Sequence, residues 1–132
     1  MDIEAGKPVF IEELVEQSGY IGQTVRATGT LHSYNPTTDR ASLADGQYAV
    51  LIDTRLLGVM QYHIGQTYQF IGVVASAPNE AAPELFDDAR CSLSIVLQAR
   101  VAREVDGLDM AVYRKSVAAL RRFLDGTEEA QS

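Results

Sequence analysis

Between Cys91 and Ala102 the chain alternates between a dry face and a mostly polar one. Cys91, Leu93, Ile95, Leu97, Ala99 and Val101 fall on one side, and Ser92, Ser94, Val96, Gln98, Arg100 and Ala102 on the other. A two-residue period sustained this long predicts an extended strand with one dry face. Such a strand cannot stand alone, because its dry face must close against other strands. Its length suits a curved barrel wall.

The rest of the sequence supplies the partners. Residues 24–34 alternate Val25, Ala27, Gly29 and Leu31 against Arg26, Thr28, Thr30 and His32, and Gly29 sits where a bend or bulge would serve a barrel corner. Asn35-Pro36-Thr37-Thr38-Asp39 is a turn by composition. Residues 40–44 form a short second strand, Asp45-Gly46 is a hairpin signal, and 47–53 form the third strand. Residues 54–64 read as a connector with a helical turn near Leu56-Leu57. The fourth strand, 67–75, puts Tyr68, Phe70, Gly72 and Val74 on one face, and 76–88, with Pro78, Pro83 and several acids, read as a loop. Ahead of the strands, 1–8 read as a loose start and 9–18 as a short helix or strap holding Phe10, Leu14 and Val15 inward. After Asp106-Gly107 the period becomes helical to about Leu124, with Asp106 as N-cap, Asp109 in the first turn, Asp125-Gly126 as the stop and a polar tail beyond.

Five strands, a connector between the third and fourth, and a terminal helix predict an all-β barrel with a flanking helix. The matching fold is the oligonucleotide/oligosaccharide-binding (OB) fold, a five-stranded closed barrel plus C-terminal α-helix. The barrel spans about 20–104 and the helix about 107–124, within one domain over 1–132. An SH3-like barrel has similar strands but less often so long a terminal helix.

Composition removes several function classes. The 132 residues carry 18 acids against 11 Lys and Arg, a formal charge of −7. That sign repels phosphate backbones at long range. One cysteine, Cys91, excludes a multi-cysteine zinc site and an internal disulfide, and its place on an apolar strand face reads as a buried, inert thiol. A reducing intracellular compartment fits. His32 and His63 are too few for a histidine cluster, and Asp87-Asp88 reads as a solvated loop pair. No apolar run approaches a membrane span, and the acidic N-terminus lacks a signal-peptide stretch. No phosphate-binding glycine loop or nucleophile-elbow motif is present. The expectation is no enzyme, no metal and no cofactor. OB barrels bind single strands by stacking bases beside a basic groove. Tyr34, Arg40, Tyr48 and Arg55 are the candidates for such contact here, with Tyr62, Tyr68 and Arg26 near them in type. They form no dense run, so structural roles are the stronger reading for each.

The helix carries more apolar surface than one barrel needs. Met110, Tyr113, Val117, Leu120 and Leu124 form one stripe, and Leu108, Val112, Ala119 and Phe123 a second, roughly 110° away. Together they cover on the order of 200°, where docking on one surface needs about 100°. Arg114, Lys115, Arg121 and Arg122 make up the remaining face, read as basic and solvated. Two stripes imply two surfaces: the chain's own barrel and a second protein. The competing reading seats both stripes deeper in the chain's own groove, under the N-terminal strap.

These residues also resemble a known family. Gly22-Gln23-Thr24-Val25-Arg26-Ala27-Thr28-Gly29-Thr30-Leu31 is similar to the barrel opening of the TEN-one family, the smallest subunit of the telomeric CST complex. Val50-Leu51-Ile52-Asp53-Thr54 and Gly65-Gln66-Thr67-Tyr68-Gln69-Phe70-Ile71-Gly72 resemble its third and fourth strands. Leu97-Gln98-Ala99-Arg100-Val101 and Val105-Asp106-Gly107-Leu108-Asp109 resemble its strand-to-helix junction. The likeness runs over about residues 9–125. It implies an OB-fold subunit resembling the small subunit of replication protein A. Such a subunit pairs with a larger STN-one OB protein through barrel surface and C-terminal helix. It also implies a nuclear, telomeric trimer with the large CST subunit that binds single-stranded telomeric DNA, protects ends and assists fill-in by DNA polymerase alpha-primase. By motif position the resemblance puts Arg26, Leu108 and Phe123 at the STN-one interface, with Phe123 where tyrosine is often found. The second stripe adds Val112 and Ala119. The loop 76–89 and the acidic strap look particular to this chain and carry no family role. Two alternatives stay open: the small subunit of replication protein A or another OB trimer, and a stand-alone single-stranded nucleic-acid binder.

Overall fold

The computed structural model describes the backbone of residues 6–17, 19–58, 60–76, 90–91, 95–105 and 107–131, and the side chains of all of these except 90–91 and 124–131. The strands are β1 (Lys7–Val9), β2 (Thr24–Asn35), β3 (Arg40–Asp45), β4 (Tyr48–Asp53), β5 (Thr67–Ser76), β6 (Arg90–Cys91) and β7 (Ile95–Glu104), of which β2, β3, β4, β5 and β7 lie where the alternation predicts strand and β1 does not. Two helices flank them, α1 (Ile11–Glu16) and α2 (Met110–Gln131), and a single 3-10 turn at Arg55–Leu57 occupies the connector. The sheet runs β1-β2-β3-β4-β7-β5, and β5 pairs back onto β2, so β2, β3, β4, β7 and β5 close a five-stranded barrel. β2 serves both neighbours by bending, pairing with β5 over Thr24–Thr30 and with β3 over Thr30–Asn35. Closure leaves none of these five an open edge. The inward residues Val25, Leu31, Leu43, Ile52, Phe70 and Leu97 are fully buried.

β1 takes in Lys7 and Pro8, expected to be loose, and Val9, expected in the strap, and it lies parallel to β2 with Lys7 opposite Val25 and Val9 opposite Ala27. The strap that follows is helical at Ile11–Glu16, and it buries Ile11 and Leu14, with Phe10 at its start rather than inside.

Gly29 is not a bulge. A Cβ there would lie 2.5 Å from the Ala44 carbonyl oxygen and 2.8 Å from Ile11 Cδ1, so the position needs glycine for close approach. The β2 register instead slips at His32, between Leu31 and Ser33. A second slip falls in β7. Gly72 pairs with Ala99 and Ile71 with Val101, which leaves Arg100 as the extra residue. The insertion inverts the alternation beyond it. Val101, expected on the dry face, is exposed, and Ala102 packs against the core instead.

The predicted fifth strand is described in two parts. Arg90–Cys91 pairs parallel to β4, and β7 begins at Ile95. Ser76, expected in the loop at 76–88, ends β5, and the rest of that loop, the Cys91 side chain and residues 92–94 lie outside the described residues.

The helix starts and ends later than expected. Asp109 is its cap: Oδ1 accepts the Ala111 N–H at 2.9 Å and the Val112 N–H at 3.3 Å. Leu108 therefore precedes the helix rather than riding on it, and Asp106, the expected cap, lies outside the described residues. The helix runs through Asp125-Gly126 to Gln131. One interior glycine costs only about 1 kcal/mol, and the good helix formers Glu128, Glu129, Ala130 and Gln131 follow it.

Candidate partner-binding face

Two arginines seven residues apart fix how α2 lies on the molecule. Arg114 Nη2 donates to Glu12 Oε1 at 2.6 Å and its Nη1 to Asp45 Oδ2 at 2.7 Å. Arg121 donates to both Glu13 oxygens, at 2.8 and 2.9 Å, and to the Pro8 carbonyl at 2.6 Å. Both guanidinium groups lie over the Phe10 ring, 4.2 and 4.8 Å from its centroid. Glu13 closes the set by accepting the Phe10 N–H at 2.8 Å. Burial pushes the Glu13 carboxyl up. The Arg121 hydrogen bond, the Phe10 N–H and the charges of Arg121 and Lys7 outweigh burial, so it sits below the usual carboxylate range. Arg121 is raised by its Glu13 hydrogen bond against burial. Arg114 is raised too, where burial alone would lower it, by Glu12 and Asp45.

The solvated basic face expected of Arg114 and Arg121 is therefore half-buried and paired, while Lys115 and Arg122 are exposed as expected. The seven-residue spacing of Arg114 and Arg121 stacks them on one helix side, and the fold brings that side against the acidic Glu12-Glu13 of the strap.

This anchoring rotates α2 away from its first apolar stripe. Val117 is buried, and Met110 and Tyr113 are half-buried, but Leu120 remains 49% exposed. The second stripe faces outward: Val112 is 57% and Phe123 69% exposed, and Ala119 is exposed between them. Leu108 is half-buried in the turn before α2, and the Leu124 side chain lies outside the description. Alongside runs an open groove of about 170 Å³, lined by Pro8, Arg26, Tyr113, Ser116, Val117 and Leu120. Arg26 Nε and the Tyr113 hydroxyl are buried without a hydrogen-bond partner among the described residues. Such groups cost about 1–3 kcal/mol each until an acceptor or donor reaches them. Of the predicted interface residues, Arg26 thus lines the groove, and Val112, Ala119 and Phe123 share the outer helix face beside it.

The predicted nucleic-acid residues are divided. Arg40 and Arg55 meet at one end of the β3–β4 hairpin, both on the buried Asp53, at 3.1 and 2.8 Å. Burial pushes the Asp53 carboxyl up, but the Arg55 hydrogen bonds and the Arg40 charge more than offset it and hold it below the usual range. Tyr34 stands at the same end, its ring 4.6 Å from Tyr62, which continues to Tyr68 at 5.9 Å. Burial, with Tyr34, Tyr68 and Asp39 around it, pushes the Tyr62 hydroxyl up to about 12. Tyr48 lies at the other end of the hairpin, about 17 Å away along the strand, and donates to Glu16 at 3.0 Å. The outward positions Ser42 and Leu51, on the barrel face where OB folds take single strands, are buried. His63 joins Glu104 at 3.0 Å, which also accepts the Tyr68 hydroxyl, while His32 is exposed at the β2 bulge. The described residues hold no cluster of three metal-binding side chains.

A family model described as "Telomere-capping, CST complex subunit" matches residues 2–127. Over 125 residues the chain is 34% identical to the "CST complex subunit TEN1" of Arabidopsis thaliana, covering 92% of this chain and 88% of that protein. The crystal structure of the S. pombe Stn1–Ten1 complex superposes with a TM-score of 0.64 at 17% identity, covering 89% of this chain and 92% of the matched chain. U. maydis replication protein A bound to single-stranded DNA superposes with a TM-score of 0.59 at 17% identity, covering 91% and 93%. The two structures share the closed five-stranded barrel and C-terminal helix.

Proposed function

Because the chain belongs to the family of telomere-capping CST complex subunits, we propose that it acts as the small OB-fold subunit of that complex, docking a Stn1-type OB partner on the outer face of α2. The observation that carries this reading is the exposure of Val112, Leu120 and Phe123 along one helix whose opposite side is already anchored. Exposed apolar side chains gathered on one face mark an interaction surface. Burying each contributes about 1.5–3 kcal/mol. Arg26 Nε and the Tyr113 hydroxyl beside them, which have no hydrogen-bond partner among the described residues, are suited to polar groups from the partner. Leu108, at the start of the helix turn, borders the same surface in this reading.

Telomeric single strands are then bound by the assembled complex rather than by this chain alone. The chain's charge of −7 and the engagement of Arg40 and Arg55 on Asp53 both disfavour independent binding. Contact with the large CST subunit, support of fill-in by DNA polymerase alpha-primase and residence at telomeres in the nucleus follow from membership in that assembly. The role is non-catalytic. The family match favours CST over a replication-protein-A trimer. The test is titration of the purified chain with a Stn1-type OB domain. A one-to-one complex that Val112→Asp abolishes is the expected result; no complex, or one that Val112→Asp leaves intact, overturns the reading.

A further inference from the structure

We infer that Arg114 and Arg121 are positioning residues for partner binding: they act by holding α2 at the angle that presents its apolar face, without touching the partner. The inference rests on the pairing proposed above and concerns what makes that surface competent.

Apolar packing alone does not hold α2. Val117 is its only buried side chain among the described residues, and it keeps 7% exposure. A helix with so little buried surface has no packing ridge to define its orientation. The two arginines supply one. They lie two turns apart, about 10 Å along the axis. They reach three separate elements: α1 through Glu12 and Glu13, the β3–β4 hairpin through Asp45, and β1 through the Pro8 carbonyl. Phe10 lies under both guanidinium groups, so each is held by direction as well as charge. Three fixed points determine both the tilt and the rotation of a helix.

The same geometry keeps both arginines off the helix face that carries Val112 and Phe123. At about 100° per residue they sit roughly 160–200° around the helix from Val112 and Phe123. Their effect on binding must therefore pass through the fraction of molecules with α2 correctly docked. A partner that binds only the docked form sees its apparent affinity reduced by that fraction. Loss of the clamp then slows association, whereas loss of a contact residue speeds dissociation.

The experiment uses the full chain carrying Arg114→Gln and Arg121→Gln, changes that remove charge and keep helix propensity. Hydrogen exchange on the free chain is expected to accelerate at least tenfold over residues 112–123, with β2, β5 and β7 still protected. Association with the Stn1-type OB domain is expected to slow about tenfold, with dissociation changed less than twofold. Phe123→Ala gives the opposite pattern. Should the double variant lose barrel protection, Arg114→Gln alone retains the Arg121–Glu13 pair and is expected to show the same pattern at reduced size. An unchanged association rate despite faster exchange, or a loss carried by dissociation, overturns the inference while leaving the pairing intact. A wild-type chain that forms no complex overturns the pairing and the inference with it, and the exchange data still report whether the clamp docks the helix.

Discussion

Phe123→Ala separates the two surfaces of α2 most sharply. The ring is 69% exposed in the free chain. An aromatic side chain buries about 150–250 Å² when fully covered, so on the order of 100–150 Å² remains for a partner to cover. At about 25 cal/mol per Å² this is worth roughly 2.5–4 kcal/mol, part of which alanine retains. The expected loss is about 2 kcal/mol or more, close to a thirtyfold rise in Kd. The isolated chain should lose less than this, since the ring is mostly exposed there. Isothermal titration calorimetry against the Stn1-type OB domain reads the first quantity and thermal unfolding of the free chain the second. A Kd within threefold of wild type would remove Phe123 from the interface. A fall in Tm of about 5 °C or more in the free chain would mean that the ring packs on its own barrel.

Other consequences are equally direct. Gly72→Ala places a Cβ 2.1 Å from the Gln98 carbonyl oxygen, at the bulge in β7. Backbone cannot retreat there as a flexible side chain would, so urea unfolding should show a loss of about 2–3 kcal/mol or more, and wild-type stability would contradict the register. Asp53 and Glu13 both titrate below the ordinary carboxylate range in the folded state. Each therefore contributes stability that is present above its unfolded pKa of roughly 4 and is lost as pH falls through the lower folded value. Asp53→Asn should lower stability at pH 7 and flatten its decline below about pH 4; parallel stability curves for the two proteins would refute the Arg40–Asp53–Arg55 linkage. The free chain should bind single-stranded telomeric DNA with a Kd weaker than about 100 μM at 0.15 M salt, as read by fluorescence anisotropy. Low-micromolar affinity with a steep salt slope would restore the independent-binder reading.

The barrel was legible because alternation is written residue by residue. Val25, Ala27 and Leu31 in β2, and Tyr68, Phe70 and Val74 in β5, are buried where their period puts them. Bulges leave no such mark. One added residue at Arg100 turned Val101 outward although Leu97-Gln98-Ala99-Arg100-Val101 alternates apolar and polar. The second apolar surface of α2 was also legible, since the helix carries more greasy circumference than one contact can use. Its rotation was not. Orientation depends on Glu12 and Glu13 meeting Arg114 and Arg121 across more than a hundred positions of sequence, a pairing that only the closed barrel creates. Asp53 escaped notice for the same reason. It looked like the end of a strand, yet the hairpin register sets it opposite Arg40, and its carboxylate also binds the nearby Arg55.

Hydroxyl-radical footprinting of the chain, free and bound to a Stn1-type OB domain, reaches the claim that matters most. Oxidation of Val112, Leu120 and Phe123 is expected to fall severalfold on binding, while Tyr34 and Leu56 at the connector end of the barrel keep their free-state rates. Unchanged oxidation along α2, with protection appearing at Tyr34 and Leu56 instead, would move the partner to the other end of the molecule.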